Sequence, residues 1–195
     1  MARQYAELGN HEEALRQFCQ LHQDCMRYQA IPETVRAGKW VATQLEAMGM
    51  VEAAVVTLTE TLAIAHDRWG GRDPRTLELR RGLIVKLRRS GRRVEALQQC
   101  EALMADHAKI GDPASIEALE TRHTLAHCLE EVGDVIAAAG IYKSVLRDCE
   151  RQLGSKSELA NTIRAHRRES AAKSGVRAIL TGIGDRIGLR RQRKP

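Results

Sequence analysis

Glycine recurs at Gly9, Gly49, Gly91, Gly133 and Gly175, at separations of 40, 42, 42 and 42 residues. This period limits the fold more than any other property of the chain. Five residues beyond the first four glycines stand Ala14, Ala54, Ala96 and Ala138, followed by Leu15, Val55, Leu97 and Ala139. Four residues before the second, third and fourth glycines stand Leu45, Leu87 and Leu129. Small and apolar residues at fixed offsets from a recurring glycine mark a supersecondary unit, and a period of about 20–50 residues marks a repeat architecture.

The local physics describes one unit. A first helix runs into the glycine, which takes the left-handed backbone conformation that ends a helix. A second helix starts two or three residues later. The alanine five residues past the glycine has almost no side chain, so the second helix can cross the first closely. Neither helix buries its apolar stripe alone; stacked units do. Val51, Ala54, Val55, Leu58, Leu62 and Ala65 recur at steps of three and four along the second helix of the second unit, the spacing of one helical face.

Start signals lie between the units. Asp73-Pro74 and Asp112-Pro113 place an N-cap acid before a proline at the first helical position, and Pro32 follows Ile31 in the same way. Trp69-Gly70-Gly71 and Leu153-Gly154 end second helices. Helices are expected near residues 2–8, 12–29, 33–48, 52–69, 75–90, 94–109, 115–132, 135–152, 157–173 and 176–188. Aromatic residues make up 3% of the chain and prolines number four, which argues against a β-sandwich or barrel. No run of about 18 apolar residues is present, so no membrane span is expected. The first residues lack the apolar core of a signal peptide. The five cysteines (Cys19, Cys25, Cys100, Cys128, Cys149) are odd in number and widely spaced, which points to a reducing, cytoplasmic setting.

A helix–glycine–helix unit with alanine five residues past the glycine resembles the tetratricopeptide repeat (TPR). The period of 42, the segment Asp112-Pro-Ala-Ser-Ile-Glu-Ala-Leu-Glu-Thr-Arg-His-Thr-Leu-Ala126 and Leu153-Gly154 resemble the longer repeat of kinesin light chains. The resemblance implies an all-α, right-handed α-α superhelix: a TPR solenoid of about four repeats over 1–155, a degenerate fifth repeat with capping helices over 156–188, and a basic disordered tail over 189–195. It also implies a non-catalytic scaffold that holds a partner protein or peptide in a concave groove. The alternative reading is a regulatory or peptide-sensing module of a larger signalling or transcriptional protein. The short first helix leads us to expect a fusion to an upstream domain or a neighbouring copy in a homodimer.

By the same resemblance, groove-facing positions lie six and three residues before each glycine and one and four after it. These are Arg3, Ala6, Asn10 and Glu13; Thr43, Glu46, Met50 and Ala53; Val85, Arg88, Arg92 and Glu95; and His127, Glu130, Asp134 and Ala137. Arg88 and Arg92 give a basic centre, and Glu130 and Asp134 an acidic end, which suits an extended peptide of mixed charge. The lysine and asparagine combination of the carboxylate clamp is missing.

Chemistry-bearing patterns are few. His123 and His127 stand one helical turn apart beside Cys128, a spacing that can bind zinc, but no third ligand is evident. Cys19, His22 and Cys25 span too much of a helix's circumference for one tetrahedral ion. No metal or other cofactor is therefore expected. No GxxxxGK[ST], GxGxxG or GxSxG motif occurs, so the chain is not expected to be an enzyme. From Arg164 onward ten basic residues face two acids, a net of +8, so residues 1–163 carry −2 of the total +6. Nucleic acid or an anionic surface is thus a candidate partner only through the basic C-terminal tail.

Overall fold

The structure, a computed structural model of the chain, describes residues 2–111 and 115–172. Among these residues every regular element is an α-helix. The chain divides into two compact units, Met1–Asp112 and Pro113–Pro195. The first holds α1 (Ala2–Glu7), α2 (His11–Arg27), α3 (Ile31–Ala47), α4 (Val51–Trp69), α5 (Pro74–Arg89) and α6 (Arg93–Ile110). The second holds α7 (Ile116–Val132), α8 (Val135–Leu153) and α9 over 158–172. The helix expected over 176–188 and the tail over 189–195 lie outside the described residues.

The glycine period sets how each hairpin closes. Gly9, Gly49, Gly91 and Gly133 have φ of +76°, +76°, +77° and +98°, a region that side chains with a Cβ rarely enter. The amide of the next residue then bonds back to the carbonyl four residues before the glycine. Met50 donates to Leu45 at 2.8 Å, Arg92 to Leu87 at 2.9 Å and Asp134 to Leu129 at 2.9 Å. This is the Schellman closure, which satisfies carbonyls that the helix end would otherwise leave unpaired. The same residue also begins the next helix. The Oδ1 atoms of Asn10 and Asp134 accept from the amides of Glu13 and Ala137, the standard N-cap bond.

The packing follows from the small residues. Ala14, Ala54, Ala96 and Ala138 are each 0% exposed, so the second helix of every hairpin sits on the first through a residue with no side chain beyond Cβ. Around them lie Val55, Leu58, Leu83, Leu87 and Leu103 in the first unit and Leu119, Tyr142, Val145 and Ile163 in the second. Four fully buried threonines need hydroxyl partners. Thr34, Thr61 and Thr121 donate to carbonyls four residues back, and Thr76 to the Ala65 carbonyl. The five cysteines are free, and all but Cys19 are buried as small apolar groups; burial pushes the Cys19 thiol above its ordinary pKa.

An ion pair recurs with the repeat. Arg80 on α5 meets Asp106 on α6 at 2.5 Å, and 42 positions later Arg122 on α7 meets Asp148 on α8 at 2.7 Å. Both pairs are largely covered, which strengthens the attraction and makes loss of one partner costly. The Arg122 guanidinium holds the Asp148 carboxyl below the usual carboxylate range. Two starts differ from expectation. The cap of α3 is Ala30, which offers no side-chain bond, and Pro32 follows one residue inside the helix. The cap of α7 is Ser115, whose hydroxyl accepts from the Ala118 amide; Asp112-Pro113 lies outside the described residues.

Gly38, inside α3, stands where the hairpin partner passes closest. A Cβ added there would run into the side chain of Thr61 on α4, which is itself buried and bonded to the Thr57 carbonyl. Alanine gains about 0.5–1 kcal/mol over glycine in a helix, whereas overpacking a filled contact costs about 1–3 kcal/mol. Gly38→Ala is therefore expected to lower the urea midpoint. In a Thr61→Ala background the same change should raise it, and a double-mutant cycle with no coupling between the two sites would overturn this account of the crossing.

Candidate functional site

The first helices of successive hairpins, α1, α3 and α5, share one face of the first unit, and a cavity of about 500 Å³ opens on it. Along α3 it is lined by Pro32, Val35, Arg36, Lys39, Trp40 and Thr43, an i, i+3, i+4, i+7 series that is one side of a helix. Arg3 closes one flank from α1, and Arg75 and Glu78 the other from α5, with Trp69 at the end of α4. The chain has two tryptophans, and both line this cavity.

Each tryptophan is held by its neighbours. The ring of Trp40 stacks on Phe18 of α2, with centroids 5.4 Å apart and planes 8° from parallel. The Arg3 guanidinium lies 4.5 Å from the Trp40 ring and that of Arg75 lies 3.7 Å from the Trp69 ring. Such cation–π contacts leave the arginine charge in place. Lys39 reaches across from α3 to Glu78 on α5 at 2.5 Å. Arg75 grips Asp73, the N-cap of α5, through two bonds of 2.8 Å; this side-chain bonding pulls the Asp73 carboxyl down to about 2. Four cations and one carboxylate line the cavity, and its apolar floor is tryptophan, valine and proline.

The residues expected to face a groove divide by location and by duty. Arg3 and Thr43 both line this cavity. Glu46 is engaged inside the fold: Lys86 and Arg89 of α5 both pair with it. Asn10 and Asp134 are bonded as helix caps, and Met50 and Arg92 occupy the same capping position. Met50 remains 47% exposed and Val85 40%, which leaves both available as apolar contacts. Arg92 pairs with Glu95 at 2.6 Å and Glu52 at 3.6 Å. Arg88 is half-buried on α5. In the second unit, the Tyr142 hydroxyl lies 3.0 Å from His127 Nδ1 and donates to Glu130 at 3.3 Å.

Sequence reasoning missed Trp40, Lys39, Arg36, Trp69, Arg75 and Glu78. A signal existed: stepping back from Thr43 by three and four residues reaches Trp40, Lys39 and Arg36. It also missed that His166 joins His123 and His127. Those three are the metal-competent group among the described residues; Cys19, His22 and Cys25 form none.

No protein-family model matches the sequence, and no curated protein is similar enough to match it. Solved structures match its fold. A Podosopora anserina protein described as a kinesin light chain with nearly identical TPR-like repeats superposes with a TM-score of 0.77, at 21% identity over 99% of this chain and 94% of the other. Its Q17M form gives 0.79 over 99% and 93%. BtubC (BKLC) from P. vanneervenii gives 0.65 at 18% identity, over 78% of this chain and 62% of that one. The chain has the fold of a TPR-type repeat protein of the kinesin-light-chain-like kind, as the 42-residue period implied.

Glu46 reports on how firmly α3 and α5 are joined. Burial alone would raise its pKa, but the hydrogen bonds and charges of Lys86 and Arg89 outweigh that and hold it below the ordinary 4.5. A carboxyl depressed by folding stabilises the fold above its unfolded pKa, and that stabilisation is lost as pH falls through the folded value. Glu46→Gln should lower the urea midpoint at pH 7 and lessen its further decline on acidification from pH 5 to pH 3. An acid response identical to that of the parent protein would exclude Glu46 as a linkage point.

Proposed function

We propose that the protein is a non-catalytic interaction scaffold, and that the tryptophan-lined cavity of its first unit holds an acidic peptide segment carrying an apolar side chain. The observation that carries this reading is the gathering of both tryptophans and four cations into one opening between α1, α3 and α5. A cavity of this size admits one large side chain. Tryptophan faces supply contact area at small entropic cost. Arg3 favours a carboxylate on the flanking peptide, and Arg36, Lys39 and Arg75 share their charges with Glu33, Glu78 and Asp73 of this chain. Folding fixes these groups before the partner arrives, which limits the ordering cost of binding. The exposed side chains of Met50 and Val85 offer further apolar contacts to the same extended segment. The TPR-type fold supports a protein partner, since such repeats present the first helices of their hairpins as a binding face. No helix among the described residues is long and apolar enough to cross a membrane.

The tryptophans provide the readout. Because both line the cavity, intrinsic fluorescence on tryptophan excitation should change when it fills. Screening a peptide library against the full chain should select sequences that pair acidic residues with an aromatic or long aliphatic one. Arg3→Glu with Lys39→Glu should weaken the selected peptides at least about tenfold, equivalent to 1.4 kcal/mol, and binding should weaken as salt rises. Trp40→Ala should weaken them further. Peptides that bind with unaltered tryptophan emission, and equally well to the charge-reversed variant, would place the partner surface elsewhere.

A further inference from the structure

Three histidines from two separate helices of the second unit meet at one point. His123 and His127 project from successive turns of α7, and His166 comes from α9. The Nε2 atoms of His123 and His127 each lie 2.9 Å from His166 Nδ1. The candidate ligand nitrogens all fall within 4.8 Å of one another. We propose that these three side chains form a zinc-binding site, with the fourth coordination position taken by water.

The geometry is close to what a tetrahedral ion needs. With Zn–N bonds of about 2.0–2.1 Å, ligand nitrogens stand about 3.3 Å apart. The two short separations need to widen by only a few tenths of an ångström. The widest, up to 4.8 Å, must close toward the same value, which rotation of the His123 and His127 rings on their shared helix would supply.

Hydrogen-bond arithmetic points the same way. A ring nitrogen of neutral histidine carries either one proton or one lone pair. His166 Nδ1 faces two imidazole nitrogens at equal distance, and a single proton or lone pair serves only one of them well. A cation accepting a lone pair from each of the three rings removes that conflict.

The surroundings orient at least one ligand for this role. The fully buried Tyr142 hydroxyl donates its one proton to Glu130 at 3.3 Å. Its oxygen therefore accepts from His127 Nδ1, 3.0 Å away. With its proton on Nδ1, His127 presents the Nε2 lone pair to the cluster. Metal-ligating histidines commonly have their second nitrogen fixed in this way by a carboxylate or another polar group. Tyr142 is thus a positioning residue, and Glu130 acts through it. Zinc at this point would pin α9 to α7, so that binding adds to the stability of the second unit.

The test uses the full chain, free of any polyhistidine tag and stripped with a chelator. Cobalt(II) is titrated first and then displaced by zinc. One equivalent of cobalt should give the visible spectrum of a tetrahedral site without a thiolate charge-transfer band, and zinc should raise the melting temperature. His166→Gln should weaken zinc at least about tenfold while the helical circular dichroism is kept, and Tyr142→Phe about tenfold through ligand orientation alone. If His166→Gln fails to fold, His123→Gln takes its place; if neither folds, the stoichiometry and spectrum of the parent chain decide. Absence of a stoichiometric site, a thiolate band, or zinc affinity unchanged in a folded histidine variant overturns the proposal. The peptide-binding result of the first unit is independent of all three outcomes.

Discussion

The close crossing of two helices at a residue without a side chain is the contact on which the rest of the molecule depends. Ala14, Ala54, Ala96 and Ala138 are wholly buried, and each follows a left-handed glycine by five residues. The glycine reverses the chain within one residue, and the Schellman bond to Leu45, Leu87 or Leu129 locks that reversal. A larger residue at the alanine would push the helices apart and open the apolar stripes on both. The order of causes is therefore turn, then approach, then burial, and the large residues of the core are effective only because the small ones let them meet.

Polar groups hold the register that apolar contacts leave loose. Apolar packing has little direction, so helices could slide by a turn at modest cost. The Arg80–Asp106 and Arg122–Asp148 pairs, set 42 positions apart, join the two helices of their hairpins at one height. Glu46 does a related task between hairpins by receiving both Lys86 and Arg89. Such pairs add little net stability when exposed, but covered ones penalise a slipped register because a displaced charge would be left without its partner.

The legible part of this molecule was the part under a periodic constraint. Glycine φ, alanine burial and hairpin order could be read from spacing because every repeat has to solve the same packing problem. The recurrent arginine and aspartate were equally periodic, yet an ion pair needs two positions 26 residues apart to be read together, and a search centred on the glycine does not do that. The groove positions expected from the glycine count and the cavity coincide only at Arg3 and Thr43. Counting from the glycine reaches the last turns of α3 and α5, where Glu46 turns inward and the residue after the glycine is used as a cap. From Thr43 the cavity extends further back, to Trp40, Lys39 and Arg36, where the partner helices approach. Nothing in the local sequence around His166 announces that it belongs with His123 and His127, since the meeting depends on the packing of α9 against α7.

The cavity and the histidine cluster nevertheless occupy corresponding positions in the repeat. Lys39 and His123 both stand ten residues before their glycine, Thr43 and His127 both stand six before it, and Trp40 and His166 both stand nine before it. In each unit these positions fall where one first helix faces the next. Packing fixes the backbone there through the buried alanines and leucines on the opposite side. Side chains at these three positions are half-buried or exposed, so they contact neighbouring helices, as Trp40 does with Phe18 and His127 with Tyr142, while still reaching the surface. One unit fills them with tryptophan, lysine and threonine, which suit an organic partner. The other fills them with imidazoles, which suit a metal ion. The glycines and alanines that close each hairpin are thus different positions from those that line the two candidate sites, and the repeat can change the second set while keeping the first.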